Sequence, residues 1–251
     1  MIESENEAQG QSLVDHLADL RVRLINSLYG ILLGFGFCYY FSESIFNIIR
    51  EPIQPFLPSG GLIFTGPMDK FMAHIKISIM GAVILTCPFW LYQVWLFVAP
   101  ALYKKEKRYA LGFIVSGSFL FILGSLFTYF IVLPMAFKFL MTFGGDIDKP
   151  MISIEEYMSF FTHTSLAFGA AFEMPLVIST LGMLGLVSQK FLKEKRRYAV
   201  MLLAIISAII TPPDLLSMVL MLFPMVILYE ISVLIVGLFE RKRHQDQSES
   251  N

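Results

Sequence analysis

The sequence predicts an all-α, polytopic integral membrane protein with six membrane-spanning helices. Three observations carry that prediction. The 251 residues are 56% apolar and only 16% charged, with a mean hydropathy of +0.66, more apolar surface than a soluble domain of this size needs. The apolar residues fall into six separate runs. Between these runs, 14 of the 19 Lys and Arg residues lie in the N-terminal segment, the second and fourth connections and the C-terminal tail. The positive-inside rule assigns those segments, and so both termini, to the cytoplasmic side.

The expected elements follow in order. Residues 1–11 are polar and read as a disordered cytoplasmic start. They lack the basic n-region of a cleavable signal, so the first apolar segment is expected to act as an uncleaved anchor. Ser12 opens a short amphipathic helix, with Leu13, Leu17, Leu20 and Leu24 on one face and Asp15, Asp19 and Arg23 on the other. The first span covers about 24–41. A second amphipathic helix follows at 42–50, ended by Pro52, Pro55 and Pro58. The second span, about 71–100, bends at Pro88, and His74 and Lys76 near its start can snorkel. The third covers about 109–133, and its helical pattern persists to Phe143.

Ser153 with Glu156 forms a capping box that opens the fourth helix. That helix carries the apolar run 160–187, roughly 42 Å long as a helix, enough to cross a hydrocarbon core of about 30 Å. The fifth span has only 13 uncharged residues, 198–210, or roughly 20 Å of helix. It turns over at Thr211-Pro-Pro-Asp214 and returns as 215–239, interrupted by Glu230. So short a hairpin must thin the bilayer or be shielded by partners. Residues 12–240 therefore read as one six-helix domain, followed by a polar cytoplasmic tail at 241–251.

Charge and motif content narrow the function. A net charge of −1 leaves no basic field for nucleic acid. Cys38 and Cys87 lie in apolar runs and suit small buried side chains, not a disulfide framework. His16, His74, His163 and His244 have no metal-ligand spacing, and no catalytic or nucleotide motif is present, so no metal or cofactor is expected.

The carboxylates say more. Glu173 lies in the middle of an apolar run, where an ionisable group is costly and by default marks a functional site. Packing against a neighbouring helix is the other reading. Pro175 adds a backbone defect beside it. Glu173 can act as a hydrogen-bond acceptor or by titrating, and the lack of a second titratable group along its helix favours the first. Asp19 precedes the first span, and Glu106 lies among Lys104, Lys105, Lys107 and Arg108. If these surfaces adjoin, two carboxylates suit a ligand with two guanidinium groups. Alternatively, Asp19 pairs with Arg23 four residues on and Glu106 offsets its basic neighbours.

Four motifs then carry a resemblance: His16-Leu-Ala-Asp-Leu-Arg-Val-Arg23; Tyr92-Gln-Val-Trp-Leu-Phe-Val-Ala-Pro-Ala-Leu-Tyr103 running into Glu106-Lys-Arg108; Phe168-Gly-Ala-Ala-Phe-Glu-Met-Pro175; and Thr211-Pro-Pro-Asp214. In this order, over roughly residues 12–240, the chain resembles the TatC family, receptor subunits of the twin-arginine (Sec-independent) protein translocase. The resemblance implies a cupped six-helix fold in the bacterial cytoplasmic (inner) membrane. It implies export of folded proteins driven by the proton motive force. The implied partners are twin-arginine signal peptides, TatA-like and TatB-like single-span subunits, and further copies of the chain within a hetero-oligomeric complex.

Residue by residue, Glu106 matches the acid that recognises the paired arginines, Phe97 and Leu102 its apolar neighbours, and Arg21 the N-terminal arginine. Asp19 stands where the family usually has Glu, keeping the charge with a shorter reach. Pro52 matches a structural proline of the first periplasmic loop, Glu173 the intramembrane acid, and Asp214 the acid of the last periplasmic turn. Met218 falls where the family often carries a polar residue. Two rivals remain on the residues alone. A proton-coupled secondary transporter with Glu173 as its proton site would need more polar lining and repeat symmetry. An intramembrane enzyme would need a second catalytic group at depth.

Overall fold

The computed structural model describes residues 2–57, 61–99, 110–142, 151–210 and 215–248. No proline occurs before Pro52, and a single helix, α1 (Ile2–Tyr40), fills most of that stretch. The surface helix expected from Ser12 and the span expected from about 24 are thus one continuous helix. Helix α2 (Ser42–Arg50) follows as expected and buries Phe46 and Ile49. Tyrosines from other helices reach the carbonyls of its last turn. The Tyr129 hydroxyl donates to the Ile48 carbonyl at 2.9 Å, and the Tyr157 hydroxyl donates to that of Ile49.

Helices α3 (Asp69–Leu85) and α4 (Cys87–Val98) form the expected broken span, bent by 57° at Thr86 with Pro88 in the first turn of α4. Asp69 closes the loop before α3: its Oδ2 accepts from the backbone N–H groups of Thr65 (2.7 Å) and Gly66 (2.8 Å) and from the Thr65 hydroxyl (2.9 Å). Helices α5 (Ala110–Phe127) and α6 (Leu133–Thr142) are joined without interruption by one π-helical stretch, Thr128–Val132. Pro134 has no N–H for the Phe130 carbonyl, and the wide turn falls where that bond is missing.

Helix α7 (Ile154–Phe172) is followed after a break at Glu173 by α8 (Met174–Met183). Ser153 is its N-cap, but the Ser153 hydroxyl makes no capping bond, so the expected capping box is absent. Backbone pairing fixes this start instead: Ile63 N–H donates to Ile152 O (3.0 Å) and Ile154 N–H to Ile63 O (2.8 Å). Helices α9 (Gln189–Glu194), α10 (Arg196–Ile210) and α11 (Leu215–Ser248) complete the chain.

The second, third and fourth spans contact one another, and the rest pack around them. α1 lies on α3 and α4, α4 on α5, both α3 and α5 on α7, α8 on α11, and α10 on α11. One apolar core gathers around Ile53, Ile77 and Tyr157, and another around Phe168, Met221 and Val236. Glycines bring α5 and α7 into contact: a Cβ on Gly124 would stand 2.7 Å from the Phe168 carbonyl oxygen, and one on Gly169 2.9 Å from the Phe121 ring. Among the described residues, four helical stretches are long and apolar enough to cross a membrane, and the bent α3–α4 pair makes a fifth. Helix α10, with 15 residues, is the short span expected at this point of the chain.

Candidate functional site

Glu173 is a carboxylate that the fold encloses within a membrane span. Its backbone closes the last turn of α7, donating to Ala170 O (3.1 Å), and its carbonyl starts α8 by accepting from Leu176 and Val177. Pro175 lies in the first turn of α8, so the expected defect is a break between two helices. The residue is 8% exposed, and neither carboxylate oxygen has a hydrogen-bond partner among the described residues. It points at Gly117 of α5, where an added Cβ would meet Glu173 Oε2 at 3.2 Å, Leu91 at 2.8 Å and Leu176 at 3.0 Å. Cys87 of α4 lies within its electrostatic reach. Three parts of the chain distant in sequence thus meet around one acid. A groove of about 230 Å³ runs beside it, lined almost wholly by apolar surface from Trp95, Phe113, Leu120, Leu176, Met183 and Ile235.

The other expected residues lie elsewhere. α1 and α4 run antiparallel: Gly30 stands against Phe89 and Gly34 against Thr86. The N-terminal part of α1 therefore runs towards the C-terminal end of α4. Asp19 is partly exposed, and its Oδ1 lies 3.3 Å from Arg23 Nε, four residues on. The Arg23 N–H is not aligned for a hydrogen bond, which leaves acceptor capacity on the acid. Arg21 is exposed and Phe97 half-buried. Pro52 is half-buried in the turn after α2, next to fully buried Ile53. Leu102, Glu106 and Asp214 lie outside the described residues.

Sequence reasoning missed several polar pairs. Lys76 Nζ bonds Glu155 Oε1 (2.8 Å) and the Ser159 hydroxyl (2.7 Å), joining α3 to α7. Lys76 was expected only to snorkel, and nothing local signals a partner 79 residues away. Likewise Arg196 meets Glu230 at 2.7 Å. Cys38 and Cys87 are buried free thiols, as their apolar surroundings suggested. Among the described residues, no three His, Cys, Asp or Glu side chains converge as a metal site.

The fold and this enclosed acid define a multi-pass, all-helical membrane protein with a polar notch at the break in one span. The family model described as "Sec-independent protein translocase protein (TatC)" matches residues 15–224, and the chain belongs to the TatC family. It is therefore a protein-translocase component, not an enzyme. It is 39% identical over 97% of its length to the Sec-independent protein translocase protein TatC of Desulforapulum autotrophicum, covering 91% of that relative. Its identity to the TatC protein of Helicobacter pylori is 40% (90% of this chain, 87% of the relative), and to that of Escherichia coli 38% (89% and 87%). A crystal structure of the twin-arginine translocase receptor TatC superposes with a TM-score of 0.77 at 40% identity, over 88% of this chain and 97% of that one. A second, in the detergent DDM, gives 0.79 at the same identity, over 88% and 99%.

Proposed function

We propose that this chain is the signal-peptide receptor and core subunit of a twin-arginine translocase in a bacterial cytoplasmic membrane, with both termini in the cytoplasm. It recruits folded cargo through the paired arginines of a signal peptide. Glu106 and Asp19 bind the two guanidinium groups, and Arg21, Phe97 and Leu102 frame the site. Each guanidinium presents a planar fork of donors that a carboxylate accepts with two bonds, and an ammonium cannot match this. TatA-like and TatB-like single-span subunits and further copies of the chain complete the complex, and the proton motive force drives transport. Pro52 shapes the first periplasmic loop, Asp214 meets partners at the last periplasmic turn, and Glu173 accepts a hydrogen bond inside the membrane.

The observation that carries this reading is the register of α1 on α4. Gly30 against Phe89 and Gly34 against Thr86 set α1 antiparallel to α4, and a continuation of that register would bring Asp19 near the Phe97 end, from which the chain continues to Glu106. The test is equilibrium binding of a twin-arginine peptide and its twin-lysine counterpart to the purified protein. A clear preference for arginine is expected, and equal binding of both peptides would refute the assignment.

A further inference from the structure

The groove beside Glu173 lies at a definite depth in the membrane. One wall runs from Gly112 to Leu120 on α5 and another from Pro175 to Met183 on α8, with Trp95 of α4 and Phe239 of α11 completing it. Either wall is roughly 12 Å long at 1.5 Å per residue. Met183 ends α8, Gly112 is the third residue of α5, and Trp95 comes three residues before the end of α4. The groove therefore starts where these helices reach the α9 side of the membrane, and it stops at the break between α7 and α8. The hydrocarbon of one leaflet is about 15 Å thick, half of a core of about 30 Å. The groove spans most of that depth.

Its shape and chemistry follow from the sequence. Gly112 and Ser116 are small and one turn apart on α5, and a Cβ on Gly112 would meet nothing within 4 Å. The Ser116 and Thr180 hydroxyls donate to carbonyls of their own helices, at 3.3 and 2.7 Å, and the Ser179 oxygen is buried away from the surface. Phe119, Val177 and Leu238, each next in sequence to a wall residue, are exposed. The groove thus opens on the apolar outer surface of the helices.

We propose that this groove binds one acyl chain of a phospholipid from the leaflet on the α9 side. Water finds almost no polar partner there, and apolar cavities stay dry. Left empty, the groove would cost its walls their contacts on one side. A helix with its side chains is about 10–12 Å across, too wide for a groove of about 230 Å³. An acyl chain is slender, apolar along its length and anchored by its headgroup at the depth where the groove begins. Its inner part packs on Pro175 and Leu176, and so supplies the wall that α5 and α11 leave open beside the break after Glu173. This binding is independent of the twin-arginine reading.

Bromine on an acyl chain quenches tryptophan fluorescence at close range, and Trp95 lines the groove while Trp90, the other tryptophan, does not. Trp90→Phe protein, reconstituted without partners in vesicles of brominated phosphatidylcholine, should show strong quenching of Trp95 although that residue is only 3% exposed. Adding Gly112→Leu, which extends a side chain into the open space, should cut the quenching several-fold, and Gly112→Ala should leave it unchanged. Absent quenching would overturn the proposal and leave the groove to side chains of a protein partner. Equal quenching with and without Gly112→Leu would overturn it too, by placing the bromine outside the groove. A second arm uses native mass spectrometry of the protein with both tryptophans. One phospholipid should survive a detergent exchange that strips the others, and Gly112→Leu should retain it several-fold less. Equal retention would refute the site, and this arm stands even where Trp90→Phe folds poorly.

Discussion

Arg196, the first residue of α10, and Glu230, in the middle of α11, meet at 2.7 Å. Their positions give the depth of the hairpin. Helix α10 rises roughly 21 Å from Arg196 to Ile210, and α11 rises roughly 22 Å from Leu215 to Glu230. Glu230 therefore stands level with the start of α10 and not within its apolar length. The pair is substantially exposed, at 52% and 39%, so its net stabilisation is small, about 0.2–1 kcal/mol. Glu230→Arg alone should lower the thermal midpoint in detergent slightly by opposing two cations. Adding Arg196→Glu should restore it, and a double variant no better than the single would deny that the pair couples the two helices.

A larger effect is expected where α5 touches α7. A Cβ on Gly124 would stand 2.7 Å from the Phe168 carbonyl oxygen, a backbone atom that cannot turn aside, whereas Gly112 has open space. Gly124→Val should destabilise by about 1–3 kcal/mol, the usual cost of overpacking. Gly112→Ala should cost nothing and, through its helix propensity, can add up to about 1 kcal/mol. Unfolding midpoints of the purified variants decide this, and equal midpoints would mean that α5 and α7 can separate freely.

How far the sequence foretold these contacts depended on their range. Helix α2, the bend at Pro88, the break beside Pro175 and the short α10 were legible because prolines, charges and run lengths are local signals. The division of α1 was misjudged because a change in polarity was taken for a change in backbone, and without proline the helix simply continues. The Ser153 capping box failed for a different reason: pairing with Ile63, ninety residues earlier, fixes the start of α7. Glu173 drew notice as a lone carboxylate in an apolar run, and its burial follows from that place, but its surroundings at Gly117 and Cys87 come from other helices and have no sequence signature.

Orientation is open to a direct check. With Cys38 and Cys87 replaced, a cysteine at Lys193 should resist a membrane-impermeant thiol reagent in intact cells, and one at Ser59 should react. The basic connections are expected on the cytoplasmic side. Labelling at position 193 from outside would reverse the assignment of both termini.

For recognition, Glu106→Ala should weaken twin-arginine peptide binding by about 10- to 150-fold, the range set by one charge-assisted hydrogen bond of about 1.5–3 kcal/mol. Asp19→Glu should be tolerated, because it keeps the charge and lengthens the reach by one methylene. Crosslinking of a signal peptide to membrane-inserted variants at matched levels is the measurement, and an undiminished yield with Glu106→Ala would remove Glu106 from the site.

Glu173 separates two roles. Both oxygens are buried without a partner among the described residues, so the group either accepts hydrogen bonds from a partner helix or from water, or it acts by taking up and releasing a proton. Glu173→Gln keeps the size and an acceptor oxygen but cannot titrate. Glu173→Ala removes the acceptor as well and leaves the space opposite Gly117 lined by Leu91 and Leu176. If hydrogen bonding is the requirement, Gln should keep most cargo export and Ala should lose much of it. If titration is the requirement, Gln should fail as badly as Ala. The first outcome is expected. Cys87, a titratable group within its electrostatic reach, is itself fully buried, and no other titratable residue lies in the run 164–189 around Glu173. Export measured at matched membrane levels decides: equal, severe loss in both variants would establish the proton role, and full activity in both would show that the notch serves only to join α7 to α8.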